Sequence, residues 1–301
     1  MAIGTIEEWK VRAYAENVHK LAQGIKNKLR GTTREKNERG KSIAFRRIAP
    51  MRGRKPTVRL EPIVHAQADH SQRVLFPQPY TFDAIVDTFD QAEQIHNPNS
   101  EYAALGAADF NHEIDRRIVA AALGSAVQGG EGSAYSSVPF DTANNQIVHG
   151  SVGLTKAKVL KARAMLAHRM NNEIELYGPL YFVYDPLDLE WLLSEVEITS
   201  ADFTNARALQ AGEMVQGYLG FTWVAWNELP IATNIRSCIA YAKAGMGFGT
   251  NMGERKERMN ERNDIVGHPM QVSIFDEFEA VRIDDNLVLE VQVDTTAVPT
   301  P

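Results

Sequence analysis

Hydrophobic and polar positions are most clearly ordered between residues 176 and 230 of the chain. The apolar run Leu180–Tyr184 predicts a buried strand ending at Asp185-Pro186, where Asp185 supplies a capping oxygen and Pro186 fits the first helical position. Leu187, Trp191 and Leu192 then recur at helical spacing. After a polar segment, Gly217 and Gly220 bracket Tyr218-Leu219, and Phe221–Trp226 predicts a second strand that stops before Pro230.

The flanks read in the same way. Residues 5–30 predict an amphipathic helix: Thr5 and Glu8 have capping-box spacing, Ile6, Trp9, Ala13, Leu21, Ile25 and Leu29 recur at helical intervals, and Gly31 is placed to end it. A polar, glycine-flanked linker follows. Ser42–Ile48 and Thr57–Val64 read as strands around a basic turn, with Gln72–Phe76 able to return, a long hairpin that must lie on something else. Residues 80–94 fit a strand or a helix. Asn97-Pro98 opens a helix over residues 98–128, with Tyr102, Leu105, Phe110, Ile114, Ile118 and Ala122 as its apolar stripe; about 30 residues at 1.5 Å rise give roughly 45 Å. Residues 129–150 read as loop, Leu154–Arg169 as helix, Ser237–Lys243 as strand, and 244–253 as a glycine-rich flexible turn before the charged run 254–264. Met270–Phe275, Glu279–Ile283 and Leu287–Val293 predict three closing strands ahead of a polar tail.

Composition narrows the class. With 301 residues, 44% hydrophobic and 23% charged, the chain can bury a sizeable core as one elaborated domain or two. No apolar run reaches the roughly 18–20 residues that span a bilayer, and the first residues carry charge where a signal core would be apolar. Cys238 is alone, so an intrachain disulfide is excluded, and its surroundings suggest a small buried hydrophobe. The net charge of −6 conceals an asymmetry: residues 1–60 hold 16 Lys/Arg against 5 Asp/Glu, and residues 61–301 hold 16 against 33, which is +11 facing −17. A basic arm of this kind fits the acidic body of a neighbouring copy, nucleic acid, or a solvated face.

Candidate chemistry is thin. Gly245, Gly247 and Gly249 lack the βαβ setting and acidic partner of a dinucleotide site, and Gly40-Lys41-Ser42 lacks the earlier glycine of a phosphate loop. Glu61, His65, Asp69 and His70 sit in an extended stretch with Pro62, and His112-Glu113 has no second histidine. Asp83, Asp87 and Asp90 read as a solvated or salt-bridged face. No catalytic, cofactor or metal site is expected.

The ordered module, with Gly217, Gly220, Phe221, Asn227, Leu229 and Pro230, resembles the central domain of tailed-bacteriophage major capsid proteins of the Hong Kong 97 type. The closing pattern of Gln271, Val272, Phe275, Ala280, Val281, Arg282, Asp284, Asp285, Val288 and Leu289 resembles the peripheral-domain ending of that family, so the likeness runs from about residue 40 to 294. It implies an α+β fold: a basic N-terminal arm (1–41), an extended β-hairpin loop (42–80), a peripheral domain (81–150) with the spine helix 98–128, an axial domain (151–245), and peripheral return strands with the tail (246–301). It further implies a non-enzymatic subunit that self-assembles into pentamers and hexamers of an icosahedral phage head around double-stranded DNA, in the virion after assembly in the host cytoplasm. Expected partners are copies of itself, a portal, a decoration protein and a separate scaffolding protein, since no long region precedes the arm; a membrane is not among them. Charge and placement nominate Lys20, Lys26, Lys28 and Arg30 in the arm and Arg46, Arg47, Arg52, Arg54 and Lys55 in the loop as inter-subunit contacts. Some members of the family crosslink through a loop lysine; Lys55 is in the corresponding loop, but no partner motif accompanies it. An encapsulin-like cellular shell and a non-assembling nucleic-acid-binding protein stay open as alternatives.

Overall fold

One 13-residue strand, β14 (Met270–Arg282), organises the first of three sheets seen among the described residues. The computed structural model describes residues 26–51, 53–55, 58, 59, 63, 65, 67–87, 98–130, 133–194, 217–251 and 255–297. The other strands, in chain order, are β1 (Arg34–Asn37), β2 (Ile43–Ile48), β3 (His70–Leu75), β4 (Gln78–Val86), β5 (Ala126–Gly130), β6 (Ser133–Val138), β7 (Gln146–Ile147), β8 (Leu180–Tyr184), β9 (Thr222–Ala225), β10 (Ile231–Ala232), β11 (Ile235–Ala242), β12 (Met246–Thr250), β13 (Lys256–Glu261) and β15 (Val288–Asp294). The helices are α1 (Pro98–Leu123), α2 (Thr142–Asn145), α3 (Lys156–Arg169), α4 (Ile174–Tyr177) and α5 (Leu189–Ser194).

β14 pairs along one edge with β4 and along the other with β13 and then β12, all antiparallel, and β1 adds in parallel beside β12. Alternate residues Val272, Ile274, Phe278 and Ala280 are buried, the period-2 pattern of a strand covered on one face. The cover is α1. Gly106 lets the helix approach closely, since a Cβ there would stand 2.5 Å from the Phe82 ring and 2.8 Å from Ile274. Phe110 packs edge-on against Tyr80, ring centroids 4.9 Å apart, and Arg117 lies over Phe278 at 4.5 Å.

The second sheet runs β7-β15-β11-β8-β9, with β10 beside β11. Phe182, Phe221 and Trp223 fill its core, and α3 covers it with Val159, Ala162 and Leu166. Asp185 caps the turn after β8 through the Leu187 N–H at 2.9 Å and also meets Arg236, which bonds Asp188 at 2.5 Å. The Lys158 ammonium is buried as well and donates to the carbonyls of Val152, Gly153 and Gln292 at 2.8, 2.8 and 3.0 Å. Burial lowers it to about 8.

The third sheet, β2-β3-β5-β6, is the root of the expected hairpin, with β2 and β3 antiparallel from Ile43 opposite Leu75 to Ile48 opposite His70. It sits on the first sheet through two glycines. A Cβ on Gly247 would lie 2.8 Å from the Phe45 ring, and one on Gly249 would lie 2.9 Å from Ile43 and 3.0 Å from Leu75. The same corner holds a buried ion cluster. Asp285 accepts from Arg73 Nη2 at 2.5 Å and from Arg282 Nε at 2.6 Å, while Arg282 also donates to the carbonyls of Ala122, Gly124 and Val138.

Several expectations are corrected. The long helix stops at Leu123, not at residue 128: the Gly124 N–H closes the last turn onto Ala120, and Ala126–Gly130 is drawn into the third sheet between β3 and β6. The glycine-rich run after residue 245 is no flexible turn but the fully buried strand β12. Residues 80–86 are strand, the charged run contains the exposed strand β13, and two expected closing strands are one continuous β14. Residues 133–138 of the expected loop form β6. The last strand pairs with β11, so a division at 245/246 crosses a sheet. Of Thr57–Val64, the described residues carry no strand pairing. Residues 1–25 of the expected N-terminal helix lie outside the described residues. From Lys26 the chain bends into a 3-10 turn at Arg30–Thr32, because Asp115 takes the N–H groups of Lys28 and Leu29 that a helix would use internally.

Removing Arg282 strips the carbonyls of Ala122, Gly124 and Val138 of their guanidinium donor and leaves Asp285 with Arg73 alone. Arg282→Met is therefore expected to destabilise the folded chain by about 3–5 kcal/mol in denaturant unfolding. For Lys158 the unfolded chain holds a proton that the folded chain has released above about pH 8, so its contribution to stability rises with pH from there toward the ordinary lysine range. Unfolding curves of wild type and Lys158→Met between about pH 7 and 10 should show the difference moving in favour of wild type.

Candidate inter-subunit surfaces

The described end of the arm, from Lys26 on, is tied to its own body. Asp115, fully buried on α1, accepts from the backbone N–H groups of Lys28 and Leu29 at 2.8 and 2.9 Å. Burial raises its pKa and those two bonds hold it back. Lys28 Nζ donates to the Ala225 carbonyl at 2.9 Å, Arg30 pairs with Glu35 at 3.1 Å and lies over Phe248, and the Thr32 hydroxyl meets the Tyr241 phenol. Thus Lys28 and Arg30, nominated for a neighbour, have partners on their own chain. Lys26 is exposed, and Lys20 lies outside the described residues.

The loop carries cations and exposed apolar residues together. Arg46 is exposed on β2, Arg47 is half-buried on the opposite face, Arg54 and Lys55 are exposed at the far end, and Arg52 lies outside the described residues. Apolar residues escape burial beside these cations: Ile48 is 68% exposed, Val58 67% and Ile63 85%. The segment joining β2 to β3 therefore carries both charge and exposed apolar side chains among its described residues.

A second surface went unread in the sequence. β13 presents Lys256, Glu257, Arg258, Met259, Asn260 and Glu261, all exposed, along one edge of the first sheet, with charges of both signs. Its residues have no period-2 apolar signal, so only pairing with β14 reveals it. The apolar loop residues, by contrast, stood in plain view beside the basic turn.

The titratable groups singled out in the sequence have structural surroundings where they are described. Cys238 is fully buried with its thiol pushed up by burial, Asp83 is bonded by Gln271 at 3.0 Å, and among the described residues no three His, Cys, Asp or Glu side chains converge on a metal position.

Residues 6–295 match the sequence profile of a family described as phage capsid protein. The fold is similar to the capsid of Ralstonia phage GP4, with a TM-score of 0.70 at 9% identity over 100% of both chains. It is also similar to the capsid of cyanophage P-SCSP1u, with a TM-score of 0.65 at 15% identity over 96% of this chain and 94% of that one. A chain from Mycobacterium phage Che8 gives 0.65 at 12% identity, over 96% and 98%. No curated protein matches the chain. Identities this low speak for the fold, which is the mixed α+β fold of the Hong Kong 97 type. With the family profile running over nearly its whole length, the chain belongs to the phage capsid protein family, a structural family whose place is the virion.

Proposed function

We infer that this chain is a major capsid subunit whose copies join as pentamers and hexamers in an icosahedral head around double-stranded DNA. The observation that carries the reading is that along β2 and the segment after it exposed Ile48, Val58 and Ile63 accompany exposed Arg46, Arg54 and Lys55. Contacts between unlike patches on identical subunits close into rings when the rotation between copies is fixed. The chain supplies both halves of such a contact: a basic loop, and a body that carries 33 Asp/Glu over residues 61–301. The role is mechanical and not catalytic.

Family membership favours a phage shell over an encapsulin-like compartment or a non-assembling nucleic-acid binder. We place the mature subunit in the phage head, assembled in the host cytoplasm with a separate scaffolding protein and a portal, and with a decoration protein as a further partner. The domain reading of arm, extended loop, peripheral and axial parts belongs to the same inference, with β15 assigned to the axial sheet.

Reversing Arg52, Arg54 and Lys55 to Glu should lower shell yield at moderate salt by at least about tenfold and invert its salt dependence, while the melting of free subunits stays unchanged. Electron microscopy and sedimentation over a salt series read both; an unaltered yield refutes the loop contact. Expressed alone, the chain should give irregular particles, tubes or rings, and uniform shells should need the scaffold. Quantitative uniform shells from this chain alone would remove the scaffold from the scheme.

A further inference from the structure

Arg47 and Arg73 share one face of the β2–β3 hairpin: Phe45 stands opposite Arg73, and Arg47 stands opposite Ser71, one same-face position further out. Arg73 keeps 2% of its side-chain surface and uses a single nitrogen, Nη2, on Asp285. Its Nε and Nη1 are buried without an acceptor among the described residues, and so is Nη1 of Arg47. The charges that act on Arg73 are Arg47 and Arg282 on one side and Asp284 and Asp285 on the other. Nη1 of Arg47 reaches neither carboxylate. Asp285 is shared with Arg282 at 2.6 Å, and Asp284 caps the Asn286 N–H at 3.1 Å. Arg282 itself is satisfied by three carbonyls. Burial is the main influence lowering Arg73, and the two neighbouring guanidinium groups add to it. The corner thus holds more cation than anion, and the leftover donors belong to Arg47 and Arg73. Asp285, with 25% of its side chain exposed, connects the cluster to solvent.

Guanidinium donors of this kind are matched by an oxyanion, whose several acceptor oxygens meet several N–H groups at once. We propose that Arg47 and Arg73 form an oxyanion-binding site at the root of the hairpin, filled by inorganic phosphate from solution or by a carboxylate of a second copy of this chain. Occupation would supply the missing acceptors and lock the hairpin onto the first sheet. The first source operates in a single subunit and does not depend on the shell reading; the second rests on it.

The test is thermal melting of the full chain, unassembled and as shells, in phosphate titrated against chloride at constant ionic strength and pH. Arg47→Met is the variant used, because Arg73→Met also strips Asp285 of a partner and can simply unfold the corner. A saturable rise of about 2–4 °C in unassembled wild type, absent in Arg47→Met, establishes a site for free oxyanion. If phosphate has no such effect, but Arg47→Met shells melt below wild-type shells while the unassembled chains melt alike, the carboxylate of a second copy is the occupant. An equal rise in both proteins is the general salting effect of phosphate and, with shells of equal stability, overturns the proposal, as does no response at all. Should the chain never assemble, the phosphate titration decides alone.

Discussion

The rest of the structure depends on how one carboxylate, Asp285, is shared between two buried arginines that arrive from opposite directions. Arg282 ends β14 and reaches back to the C-terminal carbonyls of α1 at Ala122 and Gly124. Arg73 comes from the hairpin. The carbonyl of Asp285 itself accepts from Asn145 at 2.8 Å, and that of Asn286 from Arg169 at 3.0 Å. A five-residue turn between β14 and β15 therefore holds the long helix, the hairpin, the first sheet and α3 in one arrangement. Replacing a buried ion pair with well-packed apolar groups is often neutral for stability. What an apolar cluster lacks is direction: guanidinium N–H groups and helix-end carbonyls fit one orientation.

Two further devices act with the cluster. Gly247 and Gly249 remove the side chains that would hold the hairpin root away from β12, so Ile43, Phe45 and Leu75 seat directly on backbone. On the opposite margin of the same strand, β1 pairs in parallel with β12 and brings the end of the arm along. β12 is thus enclosed by arm, hairpin and β14, which is why every one of its residues is buried although its sequence, MGFGT, is almost half glycine.

That enclosure explains what was and was not legible in the sequence. Local chemistry was legible: Asp185-Pro186 does start a turn after a buried strand, Gly217 and Gly220 do adopt positive φ before β9, and the α1 stripe through Phe110, Ile114 and Ile118 is buried. These signals act within a few residues. Gly245–Gly249 misled because glycine reads locally as freedom, whereas here it is demanded by a ring from residue 45, some 200 positions away. The end of α1 misled in the same way. Val127 and Gln128 continue no helix because β3 and β6 claim their backbone groups from two sides. Arg282, Asp284 and Asp285 were noticed as a pattern, but their role as a junction exists only once Arg73 has been brought across by the hairpin. The arm showed the reverse error: Lys28 and Arg30 looked outward by charge, yet Asp115 and Glu35 hold that segment inward.

The proposed shell would make severe demands on such a junction. Each strand of the hairpin root has six residues, about 20 Å at 3.3 Å per residue, and the loop extends past it. Turning the root by about 10° would displace the end of β2 by about 3.5 Å over that length, close to the separation of two packed carbon atoms. Contacts repeated around a ring add that error at every step, and a ring closes only if the rotation between copies is right. A root fixed solely by apolar packing resists translation better than rotation. One fixed by Arg73, Arg282 and Asp285, with hydrogen bonds in several directions and glycines that admit a single seating depth, resists both. Under the proposed shell reading, the buried charges set an angle on which the contacts proposed for the exposed loop residues depend.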